Sequence, residues 1–347
     1  VAPRHPDDSY DAGVTRDASS TAAQAPTIPH GDTAQRPDWL ELPEDLRERI
    51  EARLGGRVTA VASQRSGFTS GFAARLLVEG GGSHFVKASA TFADAYRAEA
   101  RIVPRLPDGV PTPALRWALE HGDWVVLCFD DIPGHPPTRP WRPDELTKVL
   151  TTLTPMAEAL TPAPPQLVVP EARDWMREDF GYWRRLVDAG GGSTAAAADH
   201  KNADDHAVDR HLTELAELDD LALEALHGDA VVHCDLRDDN VIMADDGTVW
   251  ICDWNWPSRA APWLDLLTIL ISAHGDGYDA TALFTAHPLG ADVDPEAVDA
   301  ALAGLGGYFT RASQLPTVED SPFLRTHHAW YAQACLSWLA VRRGWVG

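Results

Sequence analysis

Apolar residues repeat with two different periods along the chain, and the change of period divides it. Leu46, Ile50 and Leu54 stand at i, i+4 and i+8, which predicts a helix over Pro43–Leu54, stopped by Gly55-Gly56. Val58–Ser63, Phe72–Val78 and His84–Ala88 are short apolar runs bounded by glycine-containing connections, and they read as strands. A helix is predicted over Ala93–Arg105. A second pair of strands, Leu115–Glu120 and Trp124–Phe129, flanks the turn His121-Gly122-Asp123. The stretch DDIPGHPPTRPWRP (130–143) then interrupts both periods, because proline lacks the N–H that a ladder or a helix interior needs. Beyond it the helical period dominates. Helices are expected near Pro143–Leu160, Glu171–Val187, Val208–Leu226, Pro262–Ala273, Tyr278–Ala286, Pro295–Leu305 and Pro322–Arg343.

Strands first and helices afterwards make an α+β protein of two lobes. A small antiparallel β-rich lobe is expected over 38–132 and a larger, mostly helical lobe over 133–347, with Asp130–Ile132 at the hinge. Residues 1–37 mix Asp, Ser, Thr, Ala, Pro and Gln without periodicity and are expected to be a disordered tail. The low-complexity run AGGGSTAAAADHKNADDHA (189–207) is expected to be a flexible surface insertion.

Charge narrows the partners. The net charge of −23, from 52 acidic against 29 basic residues, argues against nucleic acid, whose phosphates need basic patches, and suits a cationic small molecule. No apolar run reaches the roughly 18–20 residues of a membrane span. The first residues carry no apolar signal core, and the four cysteines show no CxxC spacing. A cytoplasmic protein with reduced cysteines is the expectation, of unknown oligomeric state.

Lysine is scarce: Lys87, Lys148 and Lys201 stand beside 26 arginines. Lys201 falls in the insertion. Lys87 lies in the predicted strand 84–88, where a buried ammonium needs an anionic partner. Twelve residues later Glu99 shares a helix face with Ala95, Ile102 and Val103, so it is expected to point inward. The connection RSGFTSG (65–71) between the first two strands contains Gly67 and Gly71, which can let backbone N–H groups approach phosphates, although neither GxGxxG nor a Walker pattern is present.

The densest chemistry lies in Val231–Trp256, VVHCDLRDDNVIMADDGTVWICDWNW. His233 precedes Asp235 by two residues, Asn240 follows Asp235 by five, and Asp253 follows it by eighteen. Asn240–Met243 and Thr248–Cys252 read as two strands joined by an Asp-Asp-Gly turn, which returns Asp253 to Asn240. An amide and a carboxylate at one hairpin base suit Mg²⁺, a hard ion that keeps several waters. Asp235 is then placed to accept the proton of an attacking hydroxyl. Arg237, two residues on, can clamp a transferring phosphate or pair with Asp238 or Asp239.

HCDLRDDN and ICDWNW, with FVKAS and Glu99 behind them, resemble the aminoglycoside phosphotransferase/choline kinase-like group within the protein-kinase-like fold. The resemblance covers roughly residues 58–345. It implies ATP (or GTP) and Mg²⁺ as cofactors and a small-molecule hydroxyl as acceptor. It implies Asp235 as catalytic base, Asn240 and Asp253 as metal ligands, Lys87 and Glu99 as the phosphate-positioning pair, and Asp130–Ile132 as the adenine hinge. His233 would fix the catalytic loop, and Asp265, in APWLDLL, would accept that loop's N–H groups. The sequence departs from the kinase DFG pattern, with Asp253-Trp254-Asn255 in its place. The same residues leave open an aminoglycoside-like acceptor, an amino alcohol or sugar, and a nucleotide-binding pseudokinase. Trp254, Trp256 and Trp263 flank this end and either wall a pocket or pack in the core.

Overall fold

A computed structural model describes Val14, residues 33–190 and residues 203–345. Most of the predicted tail, and 191–202 of the predicted insertion with Lys201, lie outside the described residues.

The first lobe begins with α1 (Glu44–Leu54), whose end is capped by Gly55 at φ +80°. Strands β1 (Val58–Ser63), β2 (Phe72–Val78) and β3 (Ser83–Ser89) lead to α2 (Ala93–Ile102), and β4 (Leu115–His121) and β5 (Trp124–Asp130) follow. The five strands form one antiparallel sheet in the order β1-β2-β3-β5-β4. Alternation along β5 sorts its side chains between two cores, as the two-residue period of a strand requires. Val126 and Cys128 pack with Leu46 and Ile50 of α1, whereas Val125, Leu127 and Phe129 join the core shared with α2.

The second lobe comprises β6 (Gly134–His135), α3 (Pro143–Ala159), α4 (Ala172–Asp179), α5 (Tyr182–Asp188), α6 (Ala203–Ala225), β7 (Ala230–Val232), β8 (Val241–Ala244), β9 (Val249–Ile251), β10 (Ser258–Ala260), α7 (Leu264–Gly275), α8 (Ala280–Ala286), α9 (Pro295–Ser313) and α10 (Leu324–Arg343). Helix α9 packs on α6 and α10, and α7 on α3 and α10. Strand β7 pairs with β10, and β8 pairs with both β6 and β9. These two small sheets hold the chemical loops between them: 233–240 from β7 to β8, and 252–257 from β9 to β10.

Several expectations are corrected. Residues 33–37 of the predicted tail are ordered, with Thr33 and Ala34 buried against the β1–β2 connection. Residues 203–207 of the predicted insertion belong to α6. The single helix expected over 171–187 is two, because Gly181 takes φ +81° and donates its N–H to Asp219 at 3.0 Å. Helix α9 runs past Leu305 to Ser313. Gly306 and Gly307 continue it because they admit close neighbours: a Cβ on Gly307 would meet Trp183 Nε1 at 2.9 Å. Asn240 closes a 3₁₀ turn, Asp238–Asn240, rather than opening the strand.

Candidate active site

One cavity of about 550 Å³ lies between the lobes, in the size range of small-ligand sites. Lys87, Glu99, Asp235, Arg237, Asn240 and Asp253 all line it. So do Gly67, Asp130 and Ile132. Gly71 and His233 do not.

Lys87 is held from both lobes. Its register opposite Leu127 of β5 turns it inward, and it pairs with Glu99 of α2 and with Asp253 Oδ1 at 2.6 Å. The ring of Tyr96 lies 4.8 Å from the Lys87 ammonium. Burial alone would discharge this lysine, but Asp253 and Glu99 outweigh it and hold its pKa above the usual value. Glu99 is itself pushed up to about 7 by burial, against the pull of Lys87. The buried face of α2 carries Ala93, Tyr96, Glu99 and Ile102, so Tyr96 rather than Ala95 shares the Glu99 face.

The loop 233–240 is fixed by its own polar groups. Asp265, in the first turn of α7, accepts the N–H of His233 at 2.8 Å and of Cys234 at 3.1 Å. That anchoring accompanies a left-handed Cys234, φ +65°, a conformation costly for a residue with a Cβ. The His233 ring donates from Nε2 to the Cys252 carbonyl at 2.9 Å and accepts the Asp235 N–H on Nδ1 at 3.3 Å. Both bonds suit a neutral imidazole, and burial lowers its pKa accordingly. His233 thus ties the loop to the end of β9 without reaching the cavity.

Asp235 and Arg237 form a pair, and Arg237 also bonds Asp239 through Nε at 3.0 Å and Nη2 at 3.1 Å. The expected alternative partner Asp238 is engaged instead by Arg139 at 2.7 Å. Burial raises the Asp235 carboxyl to about 6, with Arg237 pulling it down and Asp239 and Asp253 pushing it up. A carboxylate titrating there can accept a proton near neutral pH.

Asn240 donates from Nδ2 to the Asp235 carbonyl at 2.7 Å, and its Oδ1 accepts no hydrogen bond from the described residues. Asp253, left-handed at φ +69°, uses Oδ1 for both Lys87 and the Asn255 amide, the latter at 2.7 Å. Its Oδ2 accepts no hydrogen bond from the described residues. One carboxylate oxygen and one amide oxygen on the cavity wall fit Mg²⁺, which needs few protein ligands where phosphates supply the rest. Among the described residues no cluster of three His, Cys, Asp or Glu suits a closed metal cage, so the donor set does not fit zinc.

At the hinge, Asp131 binds Arg75 Nε and Ser83 Oγ, each at 2.5 Å, and Arg75 Nη2 reaches the Ile132 carbonyl at 3.1 Å. Asp130 pairs with Arg116. Gly67 takes φ +79° on the cavity wall. Gly71 serves packing: a Cβ there would meet Ala88 O and Tyr96 Oη at 2.9 Å. The tryptophans divide. Trp254 is fully buried beside the His233 ring, Trp263 is core, and Trp256 is 54% exposed on the cavity wall. Arg36 also lines the cavity, and no sequence signal pointed to it.

No protein-family model matches the chain, and no curated protein does. Solved structures match in fold. An apo thermostable mutant of aminoglycoside phosphotransferase APH(4)-Ia aligns at TM-score 0.56 and 15% identity, over 87% of this chain and 99% of that one. Spectinomycin phosphotransferase APH(9)-Ia, in complex with AMP, aligns at 0.53 and 13%, over 85% and 97%. An aminoglycoside phosphotransferase from Alicyclobacillus acidocaldarius aligns at 0.52 and 16%, over 94% and 98%. The fold is therefore the bilobal kinase-like fold of aminoglycoside phosphotransferases, as the sequence led us to expect.

Proposed function

We propose that the protein is an ATP-dependent phosphotransferase of the aminoglycoside phosphotransferase/choline kinase-like group, acting on a hydroxyl of a small molecule. The observation that carries this reading is the double engagement of Lys87 by Glu99 and Asp253, with Asp235 and Asn240 on the same cavity wall. A structural ion pair would not need a second carboxylate from the other lobe, a base with a pKa near 6 and an oriented amide beside it.

In this reading Lys87 holds the α- and β-phosphates, and Glu99 keeps the lysine charged and directed. The hinge at Asp130–Ile132 borders the adenine, and the Gly67 loop covers the phosphates. Asn240 and Asp253 would hold Mg²⁺, which supplies neutralisation of phosphate charge when bound. Asp235 accepts the proton of the acceptor hydroxyl as that oxygen attacks the γ-phosphorus and the bond to the β,γ-bridging oxygen breaks, releasing ADP. Arg237 fixes the Asp235 carboxylate and stabilises charge on the moving phosphoryl group. His233 and Asp265 hold the loop.

A cationic, aminoglycoside-like acceptor suits the net charge of −23 and the exposed Trp256. The fold supports this choice only by analogy. A crystallised mutant of APH(4)-Ia, which shares the fold, holds ADP and hygromycin B together. The test is Mg²⁺-dependent ADP release over a panel of aminoglycosides, amino alcohols and sugars, with Asp235→Ala as control. Turnover lost in that variant supports the reading. A wild-type chain that binds ATP and turns over no hydroxyl compound is a pseudokinase, and sinks it.

A further inference from the structure

Residues Thr33–Arg36 lie against the β1–β2 connection, outside the kinase-like body that begins with α1. Thr33 N and Ala34 N both donate to the Arg65 carbonyl, at 2.9 and 3.2 Å, and Thr33 Oγ1 donates to the Gly67 carbonyl at 2.5 Å. Gln35 N donates to the Asp320 carbonyl of the second lobe at 2.8 Å. The segment therefore bridges the connection to the far lobe. Phe68, at the tip of the connection, makes the same crossing, with its ring 4.1 Å from that of His327 in α10.

Arg36 is the side chain this strap delivers. Its Nη1 donates to the Gly71 carbonyl at 2.8 Å and to Thr69 Oγ1 at 3.4 Å, and its Nη2 donates to the Ser66 carbonyl at 2.9 Å. The guanidinium thus staples both ends of the connection. All these acceptors are neutral. No carboxylate forms an ion pair with Arg36 among the described residues, and its buried Nε–H has no partner among them. Asp253 and Asp239 act on it electrostatically without forming an ion pair. A buried cation without a counter-ion is costly, and burial weakens its hold on its proton. Yet this one lines the cavity with Lys87, beside Gly67, where a Cβ would stand 3.4 Å from its Nη2.

We infer that Arg36 is a nucleotide-binding residue: the strap inserts a second fixed cation over the polyphosphate of a nucleoside triphosphate and staples the covering loop in its closed form. This rests on the kinase reading and adds to it a phosphate ligand from outside the lobes. It also explains how a connection with neither GxGxxG nor a Walker lysine can serve phosphates. The arginine supplies the charge that the loop sequence lacks, and its planar fork spans two carbonyls as an ammonium cannot.

The experiment measures binding of adenosine, ADP and the non-hydrolysable triphosphate AMP-PNP, each with Mg²⁺, to wild type, Arg36→Ala and Arg36→Lys. Hydrogen exchange over residues 64–72 of the unliganded proteins accompanies it. Loss of one charge-assisted contact predicts AMP-PNP affinity at least about tenfold weaker in Arg36→Ala. Adenosine is expected within about twofold of wild type, faster exchange in the loop, and an intermediate affinity for Arg36→Lys. An equal loss for adenosine and AMP-PNP makes Arg36 a packing residue and overturns the inference. So does an unchanged AMP-PNP affinity. Arg36→Lys preserves the test should the alanine variant fail to fold. A wild-type chain that binds no nucleotide overturns the kinase reading as well; wild-type binding with indifferent variants overturns only this inference.

Discussion

Lys87 Nζ lies 2.6 Å from Asp253 Oδ1, joining positions 166 apart in the chain and one lobe to the other. Glu99 completes the pair from α2, so one buried ammonium serves two carboxylates, Glu99 buried and Asp253 partly open to the cavity. Such an arrangement is costly to break by halves, since removing the cation leaves anions buried alone.

Lys87→Met should therefore destabilise the protein by about 3–5 kcal/mol as well as abolish transfer. The loss should depend on pH. Glu99 titrates at about 7, above its ordinary value, so its protonation favours the folded state. Its contribution is fully present below about pH 4.5 and is lost as pH rises through about 7. Without Lys87 the Glu99 pKa rises further. Denaturation midpoints of the variant should approach those of wild type at pH 5 and diverge at pH 8. A deficit that is constant with pH would falsify the claim that Lys87 draws the Glu99 pKa down.

Asp235→Asn should lower kcat by roughly 10²–10⁴, the usual worth of a positioned base, with AMP-PNP affinity nearly unchanged. Because Asp235 titrates at about 6, the acidic limb of kcat/KM in the wild-type protein should fall near pH 6. A variant retaining more than a tenth of the activity would remove Asp235 from the role of base.

How much of this was legible beforehand differs by element. Lys87, Glu99, Asp235, Asn240 and Asp253 could be found because strand period, helix period and a hairpin turn each constrain where a side chain goes. Asp265 could be anticipated as the acceptor of loop N–H groups only through the family resemblance, since nothing in its own stretch, APWLDLL, points to the loop it caps. Arg36 could not. It lies in a polar segment without periodicity, and long-range bonds to Ser66, Thr69 and Gly71 fix its side chain. The length of α9 was hidden for a different reason: the helix expected over Pro295–Leu305 continues through Gly306 and Gly307, where packing against α10 and Trp183 requires small residues. Gly71 was legible as a special position but not as a packing one, since the neighbouring Ala88 carbonyl comes from β3.

Arg237 acts on the proposed base. It lowers the Asp235 pKa, and Asp239 shares its guanidinium. In Arg237→Gln the carboxyl should titrate higher, moving the acidic limb of kcat/KM above pH 6, with kcat reduced on the plateau. Full pH–rate profiles of the two proteins decide this. A limb that stays in place would show that Arg237 does not act on Asp235.

Asp265→Ala orphans the N–H groups of His233 and Cys234, each costing roughly 1–3 kcal/mol if no water replaces the carboxylate. Asp265→Asn keeps one acceptor and should recover about half of the loss. The signature beyond stability is a kcat that falls while the KM for ATP holds, since in the proposed mechanism the loop carries the base and Lys87 the phosphates. Equal changes in both parameters would point to general unfolding instead.

Trp256 offers a test of where the proposed acceptor binds. It stands on the cavity wall at 54% exposure, and its ring lies 6.3 Å from that of Trp175, which is pinned by a 3.0 Å bond from Nε1 to Ser258 Oγ. An exposed ring held by a fixed neighbour contributes little to folding, so Trp256→Ala should change stability by no more than about 1 kcal/mol. If the ring faces a cationic acceptor, the contact is worth about 0.5–2 kcal/mol, and the acceptor KM should rise by roughly 2- to 30-fold with the KM for ATP unchanged. Comparing protonated with neutral acceptors isolates the charge contribution. A cation–π contact weakens binding of the cation alone when the ring is removed, whereas simple stacking weakens both alike. An acceptor KM unaffected by the substitution would place the acceptor elsewhere on the second lobe.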